Sequence, residues 1–91
     1  MHKIIITGRV EDAEGGAIFI TIAGPDHYSF SHSYTGSFHL PLSMNEGRYE
    51  MIVSAHTTGT FTLNVEGEYS AIEPAVPHKF ETPRQPFTLV I

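Results

Sequence analysis

The amino-acid sequence predicts an all-β sandwich of about seven antiparallel strands. Apolar residues alternate with polar ones through a succession of short runs, the period of a strand with one face buried. Glycine, proline, asparagine and aspartate punctuate these runs about every eight to twelve residues. No stretch of about eleven residues keeps a helical apolar face without meeting glycine or proline, which excludes helix as a major component.

The first run, Lys3 to Val10, is β-branched and closes in the polar turn Glu11-Asp12-Ala13-Glu14-Gly15-Gly16. Ala17 to Ala23 follows with Ile18, Ile20 and Ile22 on one face, and these two strands are expected to pair with each other. Proline fixes φ and glycine accepts either sign of it, so Gly24-Pro25-Asp26 should reverse the chain before Tyr28. From Tyr28 to Tyr34 large and small residues alternate. Tyr28, Phe30, His32 and Tyr34 then face the core, and Ser29, Ser31 and Ser33 face solvent.

Ser37 to Leu42 carries Phe38, Leu40 and Leu42 on a single face. A two-residue loop at Thr35-Gly36 would turn that face away from the aromatic one. A loop of odd length, such as Thr35-Gly36-Ser37 with Tyr34 opposite Phe38, brings both apolar sets to one side. The sequence therefore predicts a hairpin here, with Gly36 supplying a positive φ, His32 inward and His39 outward. Pro41 has no N–H to give a ladder, which places its strand at a sheet edge or a bulge.

Asn45-Glu46-Gly47 is the next turn, after which Tyr49, Met51, Val53 and Ala55 share a face. Thr57-Thr58-Gly59 turns the chain again, and Thr60 to Glu66 points Phe61, Leu63 and Val65 inward, with an extension past a bulge at Gly67 to Ser70. Residues 73–86 hold Pro74, Pro77, Pro83 and Pro86 without alternation, an irregular arm that hugs the surface or reaches to a partner. Phe87 to Ile91 is a terminal apolar strand. A strand of that kind invites pairing with a neighbouring sheet edge, so its removal is expected to abolish assembly or folding.

At 91 residues the chain has room for one domain and no separate cofactor domain. Cysteine is absent, which excludes disulfides, thiolate zinc sites and a cysteine nucleophile. Five Lys and Arg against ten Asp and Glu give a net charge of −5, with no basic stripe to hold phosphates, so a nucleic-acid partner is not expected. The apolar run Ile4-Ile5-Ile6 is too short for a signal-peptide core or a bilayer span, so the chain is expected to be soluble, unprocessed and without a membrane partner.

Four segments carry a family resemblance: Gly8-x-Val10, Gly16-Ala17-x-x-Ile20, Tyr34-Thr35-Gly36-Ser37-Phe38-x-Leu40, and Gly47-x-Tyr49-x-Met51-x-Val53-Ser54-Ala55. In this order they resemble the carboxypeptidase regulatory-like domain, a transthyretin-like β-sandwich, so the expected fold is a transthyretin-like or Ig-like sandwich. The resemblance covers residues 6–66 and departs where Ser33-Tyr34-Thr35 replaces the family's acidic turn. It implies a non-catalytic accessory, interaction or assembly module. The transthyretin-like hydrolases carry a histidine in the first strand and a terminal Y-R-G-S; here stand Ile5-Ile6-Thr7-Gly8 and Phe87-Thr88-Leu89-Val90-Ile91.

Six histidines are the oddest feature of the composition. A zinc site needs three or four converging ligands, and His27-x₄-His32, with His39 on the next strand, is the nearest approach to one. The predicted parity opposes it by sending His32 and His39 to opposite faces. Scattered surface histidines with one half-buried His32 is the expected arrangement. No serine lies in a G-x-S-x-G elbow, and the pair Glu66 and Glu68 sits at a strand end. Asp12 and Glu14 offer a calcium site only with help from backbone carbonyls. Tyr28, Tyr34 and Tyr69 lie near loops, where aromatic rings stack on sugars, so carbohydrate is a further candidate ligand. The function expected from the sequence is a non-enzymatic binding or assembly module, with a protein partner or self-association and no cofactor. The alternative is a small-ligand, carbohydrate or metal-binding protein built on His27, His32 and His39.

Overall fold

The computed structural model describes residues 1–13 and 16–91. Among these the strands are β1 (His2–Glu11), β2 (Ala17–Ala23), β3 (Ser29–Tyr34), β4 (Phe38–Met44), β5 (Arg48–His56), β6 (Thr60–Gly67), β7 (Ala71–Glu73), β8 (His78–Lys79) and β9 (Arg84–Val90). They form a four-stranded sheet in the order β4-β1-β6-β8 and a five-stranded sheet in the order β3-β2-β5-β9-β7. Every pairing is antiparallel, and the two sheets pack as a β-sandwich.

One parity of each long strand supplies the core. Ile4 and Ile6 of β1, Ile18, Ile20 and Ile22 of β2, Met51 and Val53 of β5, Leu63 and Val65 of β6, and Phe87 and Leu89 of β9 are all buried. These positions alternate with exposed or half-buried neighbours, so burying the apolar face and exposing the other fixes the register. Gly8 lies opposite Phe38, and the Phe38 ring occupies the space a Cβ would take there. Tyr49 is buried with its hydroxyl donating to the Asn45 carbonyl at 2.8 Å, which satisfies its one polar atom.

The inward faces of the segments around Tyr49 and Phe61 are as the alternation predicts, but several pairings differ. β1 and β2 do not pair, because the chain passes from one sheet to the other between them. β3 and β4 form no hairpin either. Thr35-Gly36-Ser37 is a crossing between sheets, and Gly36 is not among the described residues with positive φ. Tyr34 does meet Phe38, yet across the sandwich, as stacked rings 4.1 Å apart and 6° from parallel. The odd loop length that would align two faces in a hairpin also directs both side chains inward when the strands lie in opposed sheets.

The proline-rich segment lies against the sandwich and holds short strands that its composition does not predict. It leaves the five-stranded sheet after β7, pairs β8 with β6, and returns as β9, while Val76 and Phe80 pack against the core. The terminal apolar strand is no edge. β9 lies between β5 and β7, and its last residues, Thr88 to Val90, are paired on both sides, so the terminal apolar residues are not available to a neighbouring sheet in the way their position in the chain suggests. Pro86 fits inside β9 because of its phase. Gly47 and Ile91 exchange both backbone hydrogen bonds, and the Ala55 N–H donates to the Pro83 carbonyl, so odd-numbered residues face β5. Pro86, opposite Ile52, turns its nitrogen to the other side, where β7 has already ended opposite Thr88.

The one hairpin among the described residues is β2–β3. The Tyr28 N–H donates to the Pro25 carbonyl at 3.1 Å, with φ of 56° at Asp26 and 61° at His27. Positive φ at both central residues is the type I′ geometry whose twist suits two-residue hairpins.

Phe87 is 1% exposed at the centre of the core. Its replacement by alanine should lower unfolding free energy by about 3–5 kcal/mol, and deletion of 87–91 should abolish folding. Chemical denaturation with circular dichroism checks both, and a truncated chain with an unchanged midpoint would contradict the placement of β9.

Candidate functional site

A β-sandwich has four sheet edges, and each exposes backbone N–H and C=O groups that another chain can pair with. Three of the four are interrupted here. β8 has two residues and β7 has three, ending at Glu73 before Pro74. β4 is longer but carries Pro41 in its middle. The Val10 N–H reaches the Ser37 hydroxyl on the β4 side and the Lys3 carbonyl accepts from Glu68 on the other, so even-numbered residues of β1 face β4. Pro41, opposite the odd-numbered Ile5, therefore turns its nitrogen outward and removes a donor from the exposed edge without weakening the pairing with β1.

β3 is the exception. It runs six residues, Ser29-Phe30-Ser31-His32-Ser33-Tyr34, without proline and without an acid, lysine or arginine. The Gly24 N–H donates to the Tyr28 carbonyl, and by the same alternation Phe30, His32 and Tyr34 bond to β2. The N–H and C=O groups of Ser29, Ser31 and Ser33 point away from the sheet, and no strand among the described residues covers them. The serine side chains lie on the outer face, small enough to leave that edge open. One strand inward, Phe19 stands on the same outer face opposite Ser33 and Ser54, and it is 49% exposed. Apart from Met1 it is the one large apolar side chain left in water among the described residues.

The inner face of β3 is aromatic. Phe30 and Tyr34 pack against the core, and His32 lies between them with its ring 4.7 Å from Tyr34, edge to face. His32 has the predicted parity, but it is exposed rather than half-buried. Among the described residues no strand lies beyond β3 to cover it. The histidines proposed from spacing do not converge: His27 is a turn residue, His32 is on the free edge, and His39 is on the outer face of the opposite sheet, opposite Thr7. Among the described residues no group of three or more His, Asp or Glu is arranged to hold a metal ion. Asp12 is exposed with φ 61°, and Glu14 lies outside the described residues.

The other candidates also separate. Tyr34 is at the end of the sandwich where β3 crosses to β4, whereas Tyr28 and Tyr69 are at the opposite end. The Tyr69 hydroxyl donates to the Val65 carbonyl at 2.9 Å, and Tyr28 meets Tyr49 edge-on at 5.3 Å. Glu66 accepts from Asn64, and Glu68 accepts from the Lys3 N–H. A depression of about 240 Å³ opens beside Phe61 and Phe80, rimmed by Glu81 and Thr82. Further open depressions, of about 300 to 470 Å³, lie beside Ile5 and Leu42, beside Ile72 and Thr88, and beside His56 and Thr58. Two features of the β3 edge escaped the sequence reading. The free edge depends on which strands pair, and the exposure of Phe19 depends on what covers the outer face.

The Asp26-His27 turn sets where β3 begins. Because glycine adopts positive φ without a Cβ clash, His27→Gly should raise stability by about 0.5–1 kcal/mol, read as a higher denaturant midpoint. An unchanged or lower midpoint would count against the turn geometry.

Burial raises the Tyr34 hydroxyl above its ordinary 10.0, and burial followed by the neighbouring Tyr49 raises Tyr28. Both protons are held more tightly in the folded chain, so this contribution to stability is whole below about pH 10 and is lost as pH rises through the raised values. Denaturant midpoints from about pH 9 to 11 should fall less in a Tyr28→Phe, Tyr34→Phe variant than in the native chain. Identical slopes would refute the assignment.

Comparison of the chain with family models, with curated proteins and with solved structures gives no match.

Proposed function

We propose that this chain is a non-catalytic protein-binding module that accepts an extended segment of a partner as an added strand beside β3. The observation that carries this reading is the contrast among the four edges. β4, β7 and β8 are each cut short or interrupted by proline, while β3 presents three consecutive outward backbone pairs with no proline or charged side chain. Natural sheets blunt exposed edges because an open one recruits other strands, so an unblunted edge is a binding surface. Strand addition takes its affinity from main-chain hydrogen bonds and its specificity from alternate side chains. Here the outer side chains of β3 are serines, which leaves room for a large partner residue to reach across Ser33 towards Phe19. The inner side chains are aromatic and extend the apolar layer outward. The segments that resemble the carboxypeptidase regulatory-like domain fit this reading, since that resemblance implies an accessory or assembly role within a transthyretin-like sandwich.

Selection of a displayed random-peptide library on the immobilised protein tests it. Enriched peptides are expected to alternate apolar and polar residues and to slow amide exchange at Ser29, Ser31 and Ser33 when bound. Ser31→Pro removes an outward donor while leaving the bonds to β2 in place, and should weaken the selected peptides by at least about tenfold, the loss expected from a broken ladder and a blocked edge. Peptides that bind the Ser31→Pro chain as they bind the native one, or a selection that enriches nothing, would overturn the proposal.

A further inference from the structure

Resting on that strand-addition reading, we infer that one occupant of the β3 edge is a second copy of this chain, paired antiparallel about a two-fold axis through Ser31. A two-fold axis normal to the sheet makes an edge strand its own antiparallel partner, so the same surface serves both copies and closes the assembly at two. The outward groups decide the register. Ser29, Ser31 and Ser33 are the residues of β3 whose backbone faces away from β2. With the axis at Ser31, Ser31 meets its own copy and Ser29 meets Ser33 of the other chain, so every outward N–H and C=O on the strand finds a partner. An axis at Phe30 or at His32 pairs one end serine with a residue outside the strand.

The side chains suit the same register. On the outer face serine meets serine, small polar groups that neither clash nor repel. On the inner face Phe30 comes opposite His32 of the second copy, and Tyr28 opposite Tyr34, which extends an aromatic row already present in each chain. Charge permits a second copy at this edge. The chain carries a net −5, and repulsion would oppose self-association through most of its surface. β3 has no acid, so two copies can meet there without bringing carboxylates together. The contact is a single short strand pair with its flanking aromatics, small by the standard of obligate dimers, and association is therefore weak and concentration-dependent.

Sedimentation velocity of the untagged chain tests this, with the native protein and three variants followed from about 10 µM to 1 mM, the span in which weak dimers form. The native chain should pass from monomer to dimer across that range. Ser31→Lys sets two lysines face to face on the outer side at the axis, and Ser31→Pro removes the central hydrogen bonds. Both should remain monomeric, while Thr82→Lys, at the end of the sandwich beside Phe80, should dimerise as the native chain does. If Ser31→Pro fails to fold by circular dichroism, Ser31→Lys carries the test. Contacts between Phe30 of one copy and His32 of the other in a dimer mixed from isotope-labelled and unlabelled chains locate the axis without any substitution. A native chain that stays monomeric to about 1 mM, a dimer that survives Ser31→Lys, or a dimer lacking those contacts would overturn the second copy as occupant. The strand-addition reading would still stand if selected peptides bind at β3 in a Ser31-dependent way, so the two failures are distinguishable.

Discussion

With no disulfide and, among the described residues, no buried charge to hold it, the sandwich rests on the contact between its two apolar faces. Ile4, Ile6, Phe61, Leu63 and Val65 from one sheet meet Ile18, Ile20, Tyr49, Met51, Val53, Phe87 and Leu89 from the other. That contact demands one parity on every long strand, because a slip of a single residue would carry a whole apolar set into water. The same parity settles where prolines can go. Pro41 and Pro86 both occupy positions whose nitrogen faces away from the partner strand, so the core keeps its register while tolerating proline within two strands.

Parity also separates the two roles of β3. The even-numbered side chains Phe30 and Tyr34 join the core, and the even-numbered backbone groups hold β2. The odd-numbered residues are left with neither task. Their serine side chains contribute nothing to the apolar layer, and their backbone has no partner within the described residues. A substitution at Ser31 thus acts on the exposed edge with little consequence for the interior. The fold has placed its most available hydrogen-bonding surface where change costs the core least.

Much of this was legible in the sequence. Inward residues from Tyr49 to Ala55 and from Phe61 to Val65 follow from alternation, as do the outward serines of β3, and the missing N–H of Pro41 allows an edge or a bulge, of which the edge is found. Alternation names a face, however, and does not name a neighbour. β1 read as the partner of β2, and β3 as the partner of β4, because a short polar connection looks the same whether it folds back within a sheet or crosses to the other. β7 and β8 are too short for a period of two to register. β9 was legible as a strand, but its interior place depends on β7, whose three residues carry no signal. The candidate edge inherited that gap: Ser29, Ser31 and Ser33 could be assigned to solvent, but their unpaired backbone is visible only when the strand order β3-β2-β5-β9-β7 is known.

That crossing pattern also shapes how the chain reaches its native state. β2 and β3 are the only pair adjacent both in sequence and in a sheet among the described residues, joined by the tight turn at Asp26 and His27. β1 must wait for β4 and β6, and β5 must wait for β9, so nearly every other ladder closes over a long stretch of chain. Loop-closure entropy makes such pairings late, and sandwiches dominated by them fold in milliseconds to seconds rather than microseconds. The β2–β3 hairpin is the pairing with the smallest loop-closure cost. The strand with the most open edge among the described residues is thus the one whose ladder closes over the shortest loop, while the edges that proline and short strands interrupt belong to ladders that span long stretches of chain.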